Sequence, residues 1–365
     1  MKKISISLAC LFFSLSLFAQ TQADSLLTTQ EISFRDSIAA INQSNENLQL
    51  LQETYNIATD FFGNKEYAPA IESYSEVLDI DSLYVNAFYN RAVCYKELNR
   101  FDEAIADMAQ VFVLDSTNVD ALFQKATYFS LNKQTQEAKS GFQEINQIFP
   151  SNAKAFYQLG VLQYLDKEYQ KAIDSYSQAI KIDGQYTYAY NDRASSYRAL
   201  ENYSSAILDY NKAISIDPQS FLYNNLGSAL KRSGDIDGAL VAYSKAITND
   251  SGYEIAFNNR GSMYFEAKDY DKAISDFNKA IDINPNYSLA LVNRAAVLQL
   301  QKKYTVALVD LNKAIELNIS NGIAYLNRGI SREMLRDVDG ACEDWQKASD
   351  LGVSKGREYY INNCE

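Results

Sequence analysis

The sequence repeats itself every 34 residues, and this period constrains the fold more than any other feature. The segments DKAISDFNKAIDINP (271–285), QKAIDSYSQAIKIDG (170–184) and SSAILDYNKAISIDP (204–218) carry the same pattern. Nine copies begin at residues 51, 85, 119, 153, 187, 220, 254, 288 and 322, and the fifth is one residue short. A fixed period of this length predicts a chain of similar units, each burying its apolar face against its neighbours.

Small and apolar residues recur within each copy at the spacing of an α-helix. We number the positions of a copy from 1 to 34. Position 20 is alanine in every copy, position 8 is glycine or alanine, and positions 4, 11, 17 and 24 are mostly large and apolar. Positions 4, 8 and 11 share one face of a helix, as do positions 17, 20 and 24. Each copy is therefore predicted to fold into two amphipathic helices joined by a turn.

The prolines and the repeated residues together point to one repeat family. Pro150, Pro218 and Pro285 fall at position 32, between copies, where they interrupt no helix. A small position 8, alanine at 20, an aromatic residue at 24 and proline at 32 resemble the tetratricopeptide repeat family over about residues 51–355. This resemblance implies an all-α fold: a right-handed superhelical solenoid of nine helix-turn-helix repeats whose first helices line a concave groove.

The segments outside the repeats have a different composition. Residues 1–19 are predicted to be a signal peptide, because Lys2 and Lys3 precede an uncharged run that ends near the small residue Ala19. Residues 20–50 are rich in polar residues and are predicted to be a flexible lead-in, with a weak helix through Phe34, Ile38 and Ile41 as the alternative. Residues 356–365 are predicted to form a C-terminal capping helix. We therefore expect an exported protein, periplasmic or extracellular, that does not insert into a membrane after signal cleavage.

Composition excludes several classes of function. The chain contains no histidine, so Ser-His-Asp, Cys-His and histidine-metal sites are excluded. No glycine-rich phosphate loop is present. A net charge of −12 disfavours binding to nucleic acid. We expect a protein without a cofactor that binds other molecules and is not an enzyme.

The first helix of each repeat carries a polar stripe opposite its buried face, at positions 2, 6, 9 and 13. Position 6 is an amide in eight of the nine repeats, the exception being Asp192, and position 5 beside it is also asparagine in three repeats. An amide offers both a donor and an acceptor, which matches an extended peptide backbone. The candidate groove residues are Asn56, Asn90, Gln124, Gln158, Asn191, Asn224, Asn225, Asn258, Asn259, Asn293 and Asn327.

Two functions remain open on this evidence. The first is a scaffold that binds a peptide segment or partner protein in the groove. The second is glycan binding at the aromatic end of the groove, where position 5 is Tyr55, Tyr89, Phe123 and Tyr157. The two-carboxylate clamp known in the family needs lysine at position 5, which no repeat has, so that mode is not expected.

Arginine at position 7 and aspartate at position 23 occur together in five repeats and are both missing from the other four. This co-occurrence predicts a partly buried ion pair that joins the two helices of a repeat. The predicted pairs are Arg91 with Asp107, Arg193 with Asp209, Arg260 with Asp276, Arg294 with Asp310, and Arg328 with Asp344.

The cysteines near the C-terminus are predicted to form a disulfide. If the chain turns at Gly352–Ser354, then Cys342 and Cys364 are equally distant from the turn and face each other in an antiparallel helix pair. An exported chain permits such a bridge. Cys94 lies far along the chain and is expected to stay a free thiol.

Overall fold

The computed structural model describes residues 29–364, and this range contains nineteen α-helices and no strand. Within each of the two compact units of the chain, each helix packs mainly against its neighbours in the chain. The predicted all-α fold of consecutive helix pairs is confirmed. The expected signal peptide, 1–19, lies outside the described residues. No helix among the described residues is long and apolar enough to cross a membrane.

The chain divides into two compact units, and the first extends to Pro150. Its helices are α1 (Thr29–Gly63), α2 (Tyr67–Ile80), α3 (Val85–Glu97), α4 (Phe101–Leu114), α5 (Val119–Leu131) and α6 (Thr135–Ile148). They form the first three repeats.

The second unit begins at Ser151 and holds the remaining six repeats. Its first helices are α7 (Ala153–Leu165), α9 (Thr187–Ala199), α11 (Ser220–Ser233), α13 (Glu254–Glu266), α15 (Ser288–Leu300) and α17 (Gly322–Met334). Its second helices are α8 (Tyr169–Ile182), α10 (Tyr203–Ile216), α12 (Ile236–Asn249), α14 (Tyr270–Ile283), α16 (Tyr304–Leu317) and α18 (Val338–Asp350). A last helix, α19 (Ser354–Cys364), follows the ninth repeat.

The two helices of a repeat approach closely because position 8 is small. A Cβ atom added at Gly160 would lie 2.7 Å from the Tyr176 ring, which is at position 24 of the same repeat. The same atom at Gly261 would lie 2.9 Å from the Phe277 ring. The alanine at position 20 is fully buried in all nine repeats. The small residues thus let large side chains fill the space between the two helices.

The turn between the two helices of a repeat holds one residue in the left-handed conformation, always at position 15. Gly234 has φ +92°, and it is the one glycine at this position. In the other repeats the residue is long or polar: Lys65, Asn99, Lys133, Lys167, Glu201, Lys268, Lys302 and Arg336. Such a residue ends an α-helix and reverses the chain. Sequence reasoning missed this turn because glycine, its usual signal, occurs there only once.

The predicted Arg–Asp pairs are confirmed, and each also reaches a third helix. Nε and Nη2 of Arg260 donate to the two carboxylate oxygens of Asp276 at 2.8 Å each. Nη1 of Arg260 donates to Oγ of Ser244, in the second helix of the preceding repeat, at 3.0 Å. The same contacts join Arg91 to Asp107 and Ser75, Arg193 to Asp209 and Ser177, Arg294 to Asp310 and Asn278, and Arg328 to Asp344 and Asn312.

The described part of the lead-in segment is helical. A weak helix through Phe34, Ile38 and Ile41 was the alternative to a flexible lead-in, and all three residues lie in α1, which begins at Thr29 and continues into the first repeat. Residues 29–62 contain neither glycine nor proline, so nothing in this stretch stops a helix that extends from the packed repeat. Phe34 and Ile41 on this extension are largely exposed. Helix propagation therefore explains the extension better than burial does.

The C-terminal cap is an antiparallel helix pair. Gly352, at φ +83°, separates α18 from α19, and the Tyr359 ring lies 5.1 Å from that of Trp345. Cys342 and Cys364 have Cα atoms 5.8 Å apart, and the structure joins their sulfurs in the predicted disulfide. Cys94 is a free, fully buried thiol, and burial raises its pKa to about 12.

Replacing Asp276 by asparagine is expected to lower the free energy of unfolding by about 3 kcal/mol, because the partly buried Arg260 guanidinium loses its counter-ion. Urea denaturation followed by circular dichroism measures this change. Asp271→Asn, an exposed carboxylate on the same helix, is the control and should cost less than about 1 kcal/mol. Equal losses in the two variants would contradict a structural role for the pair.

Opening the Cys342–Cys364 bridge is expected to lower stability by roughly 3 kcal/mol, since a loop with a sequence separation of 22 is released. A non-reduced tryptic digest should contain one cross-linked pair of peptides from these two sites. Alkylation of the folded protein should leave Cys94 unmodified because it is buried. Finding Cys364 alkylated without prior reduction, in protein from an oxidising compartment, would count against the bridge.

Candidate functional site

A concave polar cavity of about 1080 Å³ lies in the second unit, along the first helices of consecutive repeats. Most of its wall comes from α9, α11 and α13, at positions 6, 9, 12 and 13. The lining residues are Tyr164, Ser195, Arg198, Ala199, Glu201, Tyr203, Ser228, Lys231, Arg232, Tyr243, Asn258, Asn259, Ser262, Glu266, Leu289 and Asn293. The predicted polar stripe therefore supplies much of this wall.

The amides at position 6 are hydrogen-bonded to the repeat before them. Nδ2 of Asn225 donates to Oδ1 of Asn191 at 3.0 Å. Asn259 donates to Asn224 at 2.9 Å, and Asn293 donates to Asn258 at 2.9 Å. These three bonds, which we call the amide ladder, join successive repeats through side-chain amides. The sequence pattern alone did not reveal this role.

Of the three asparagines at position 5, only Asn258 lines the cavity. Asn191, Asn224 and Asn258 are all buried, and Asn258 is only 1% exposed. They were expected in the groove, but position 5 is turned toward the first helix of the next repeat, so their oxygens are used as acceptors there. The position 6 amides Asn259 and Asn293 remain half-exposed at the cavity wall, each with groups available to a ligand.

The remaining candidate amides are spread over both units. In the first unit Asn90 donates to the Tyr55 hydroxyl at 3.0 Å, and Asn56, which is exposed, accepts from Gln52 at 2.8 Å. Gln124 and Gln158 are half-buried. In the last repeat the backbone carbonyl of Asn327 accepts from Gln299 at 2.6 Å. None of these five candidates lines the cavity.

The aromatic residues at position 5 contact other rings of the protein. The ring centroid of Tyr55 lies 5.1 Å from that of Tyr84, and that of Phe123 lies 5.3 Å from that of Phe142. The Tyr89 hydroxyl donates to Asp120 at 2.5 Å.

In the second unit, the Tyr157 ring lies 4.9 Å from that of Tyr186, and its hydroxyl donates to Asp192 at 2.8 Å. Burial raises the pKa of the Asp192 carboxyl, and the bond from Tyr157 opposes that rise. These aromatic side chains are therefore engaged mainly within the fold.

Charged and hydroxyl side chains at the cavity wall were missed by sequence reasoning. Lys231 forms an ion pair with Glu266 at 2.7 Å, and Arg198 stands in the preceding repeat at the same position 12. Ser195 and Ser228 each lie within hydrogen-bond distance of a tyrosine hydroxyl. A cation at position 12 in two successive repeats was the available signal, but this position lies outside the periodic stripe. The wall thus offers donors, acceptors and charge suited to binding a polar ligand.

Comparison with known families assigns the repeats. Models of the tetratricopeptide repeat match residues 55–118, 153–186, 187–220, 222–253 and 255–287. Together these segments make up more than half of the chain. No curated protein matches the sequence.

Several solved structures share the fold. A tetratricopeptide repeat protein from Parabacteroides merdae is 20% identical, with a TM-score of 0.54 over 68% of this chain and 99% of that one. The C-terminal part of a repeat protein from Cytophaga hutchinsonii is 19% identical, with a TM-score of 0.56 over 66% and 98%. The Cut9–Hcn1 structure of the APC/C is 14% identical, with a TM-score of 0.55 over 86% and 76%. At these identities the likeness concerns the fold alone.

The amide ladder is expected to show measurable coupling between repeats. Asn259→Ala removes the donor to Asn224 and leaves a buried acceptor unpaired, and Asn224→Ala removes the acceptor. Each of these two single changes should lower the free energy of unfolding by roughly 1–3 kcal/mol. In urea denaturation, the variant with both changes should lose about 1 kcal/mol less free energy of unfolding than the sum of the two single losses. Asn259 and Asn327, which share no bond, form the control pair and should be additive. Additive losses for Asn224 and Asn259 would contradict the ladder.

Proposed function

Because the chain belongs to the tetratricopeptide repeat family, we propose that it is a non-catalytic scaffold that binds an extended segment of a partner protein. The segment would lie along the cavity of the second unit. The observation that carries this proposal is the concave polar cavity of about 1080 Å³, walled by the first helices of consecutive repeats. Stacked repeats suit such a role because they present a long, concave binding surface.

The groups at the wall match the chemistry of a peptide backbone. An extended chain presents carbonyl acceptors and N–H donors at regular intervals. Asn259 and Asn293 face the cavity from successive repeats. Asn259 keeps one amide hydrogen beyond its bond to Asn224, whereas Asn293 donates to both Asn258 and Ser262 and keeps its Oδ1 as an acceptor. Ser262 lies between them, and because its hydroxyl donates to the Asn258 backbone carbonyl, its oxygen can serve a ligand only as an acceptor. These groups can bind the main chain of a peptide without selecting particular side chains.

The glycan alternative receives less support. A sugar stacks on an exposed aromatic face, whereas the rings of Tyr55, Phe123 and Tyr157 lie against other rings of the fold. We therefore take a protein segment as the ligand.

Export to the periplasm or the extracellular space is also part of the proposal. The signal-like segment at residues 1–19 supports it. The pairing of Cys342 with Cys364 supports it as well, because structural disulfides persist in oxidising compartments.

Selection of random dodecapeptides displayed on phage tests the proposed function. Peptides enriched on the wild-type chain should bind Ala199→Trp about tenfold more weakly, a difference of about 1.4 kcal/mol, because the indole occupies part of the cavity and obstructs the bound segment. Ala106→Trp, at an exposed site in the first unit, is the matched control and should bind as the wild type does. The proposal fails if no peptide is enriched, or if Ala199→Trp binds the enriched peptides normally.

A further inference from the structure

Arg198 is half-buried at the cavity wall without a counter-ion. It lies in the last turn of α9. No carboxylate of the described residues lies within ion-pair distance of it, whereas every other described arginine that is not exposed has such a partner. A guanidinium at a cavity wall that pairs with no carboxylate of the protein is available to an anionic ligand. The position of Arg198 therefore suits a guanidinium that is completed by a ligand.

The charge of the cavity wall differs in sign from that of the chain. The lining contains three cationic side chains, Arg198, Lys231 and Arg232, and two anionic ones, Glu201 and Glu266. Glu266 is paired with Lys231 at 2.7 Å and so neutralises that lysine rather than Arg198. The chain as a whole carries −12. A local excess of positive charge in an acidic protein favours an anionic group at this place.

Two hydroxyl pairs lie near the Arg198 guanidinium. Oγ of Ser195 is 3.0 Å from the Tyr210 hydroxyl, and Oγ of Ser228 is 3.2 Å from the Tyr243 hydroxyl. Burial raises the pKa of both phenols, and the positive charge of Arg198 opposes that rise.

Each pair uses one hydroxyl hydrogen internally and leaves the other free. Ser195, Ser228 and Tyr243 all line the cavity. The wall thus offers further donors beside the cation.

We propose that this cavity recognises an acidic segment, with the carboxylate of an aspartate or glutamate side chain bound by Arg198 and by a hydroxyl of the adjoining Ser–Tyr pairs. A guanidinium pairs with a carboxylate through two parallel N–H donors, which gives both affinity and direction. The proposal rests on the proposed function and adds to it the chemistry that selects the partner. The amides at position 6 would bind the backbone of the partner segment, while Arg198 would bind one of its acidic side chains.

The test uses the dodecapeptides selected on the wild-type chain, displayed so that their C-termini are fused and carry no free carboxylate. Aspartate and glutamate should be enriched relative to the unselected library. The strongest acidic peptide is then synthesised with an amidated C-terminus, beside versions in which the acidic residue is replaced by its amide or by lysine. Fluorescence anisotropy gives the affinity of each peptide for each protein variant.

The wild type should prefer the acidic peptide over its amide version by about tenfold, as expected for a charge-assisted pair. Arg198→Gln should lose this preference while still binding the amide version, which shows that the cavity is intact. Arg357→Gln, an exposed arginine in α19 with the same change of charge, should keep the preference. Arg198→Glu should prefer the lysine version, a gain that misfolding cannot produce.

Two outcomes overturn the inference in different ways. If peptides bind the cavity but the wild type does not distinguish acid from amide, or if Arg198→Gln and Arg198→Glu keep the wild-type preference, the proposed function stands and the acidic specificity is wrong. If no peptide is enriched at all, the proposed function fails and the acidic specificity fails with it.

Discussion

The contact between a small residue at position 8 and a large side chain at position 24 sets the geometry of each repeat. Where the ring is largest, at Trp345, position 8 is Gly329, and a Cβ atom there would lie 2.5 Å from the indole nitrogen. The two helices can therefore pack at close range only if the first helix presents no more than a methyl group at this point. Because this contact fixes the rotation of the first helix, it also fixes which residues face outward. Positions 6, 9 and 13 face the cavity as a consequence of packing on the opposite side.

Polar contacts then hold one repeat to the next. Each of the five position 7 arginines binds an aspartate in its own repeat and a serine or asparagine in the preceding one, so one guanidinium joins three helices. A buried ion pair contributes little net stability by itself, but leaving either partner alone is costly. The amide ladder makes a second set of links along the first helices, as between Asn259 and Asn224. A slip of one repeat relative to its neighbour would break both sets together, which favours a single register.

The cavity of the second unit lies where these polar links leave groups unused. The sixth repeat lacks the Arg–Asp pair, having Leu226 and Ala242 at those positions, and it contributes Ser228, Lys231 and Tyr243 to the wall. Arg198 in the repeat before it has no counter-ion among the described residues, unlike Arg193 on the same helix, which is bound to Asp209. Two arginines five residues apart thus have different roles: one stabilises the stack, and the other is free to meet a ligand.

The repeated features of this protein were determined by its sequence alone. The 34-residue period, the small residues at positions 8 and 20, and the joint presence of arginine and aspartate, as in Arg260 and Asp276, each recur because repeats within a unit pack against similar neighbours, so the same pattern appears several times. The pairing of Cys342 with Cys364 followed from their spacing about one turn. Tertiary structure decided what occurs once, or depends on the offset between repeats. The burial of Asn258, the free guanidinium of Arg198 and the extension of α1 back to Thr29 are such features. Their roles depend on which side chains meet across adjacent repeats. The rotation of one helix pair relative to the next sets these contacts, and the spacing of residues within a repeat does not specify that rotation.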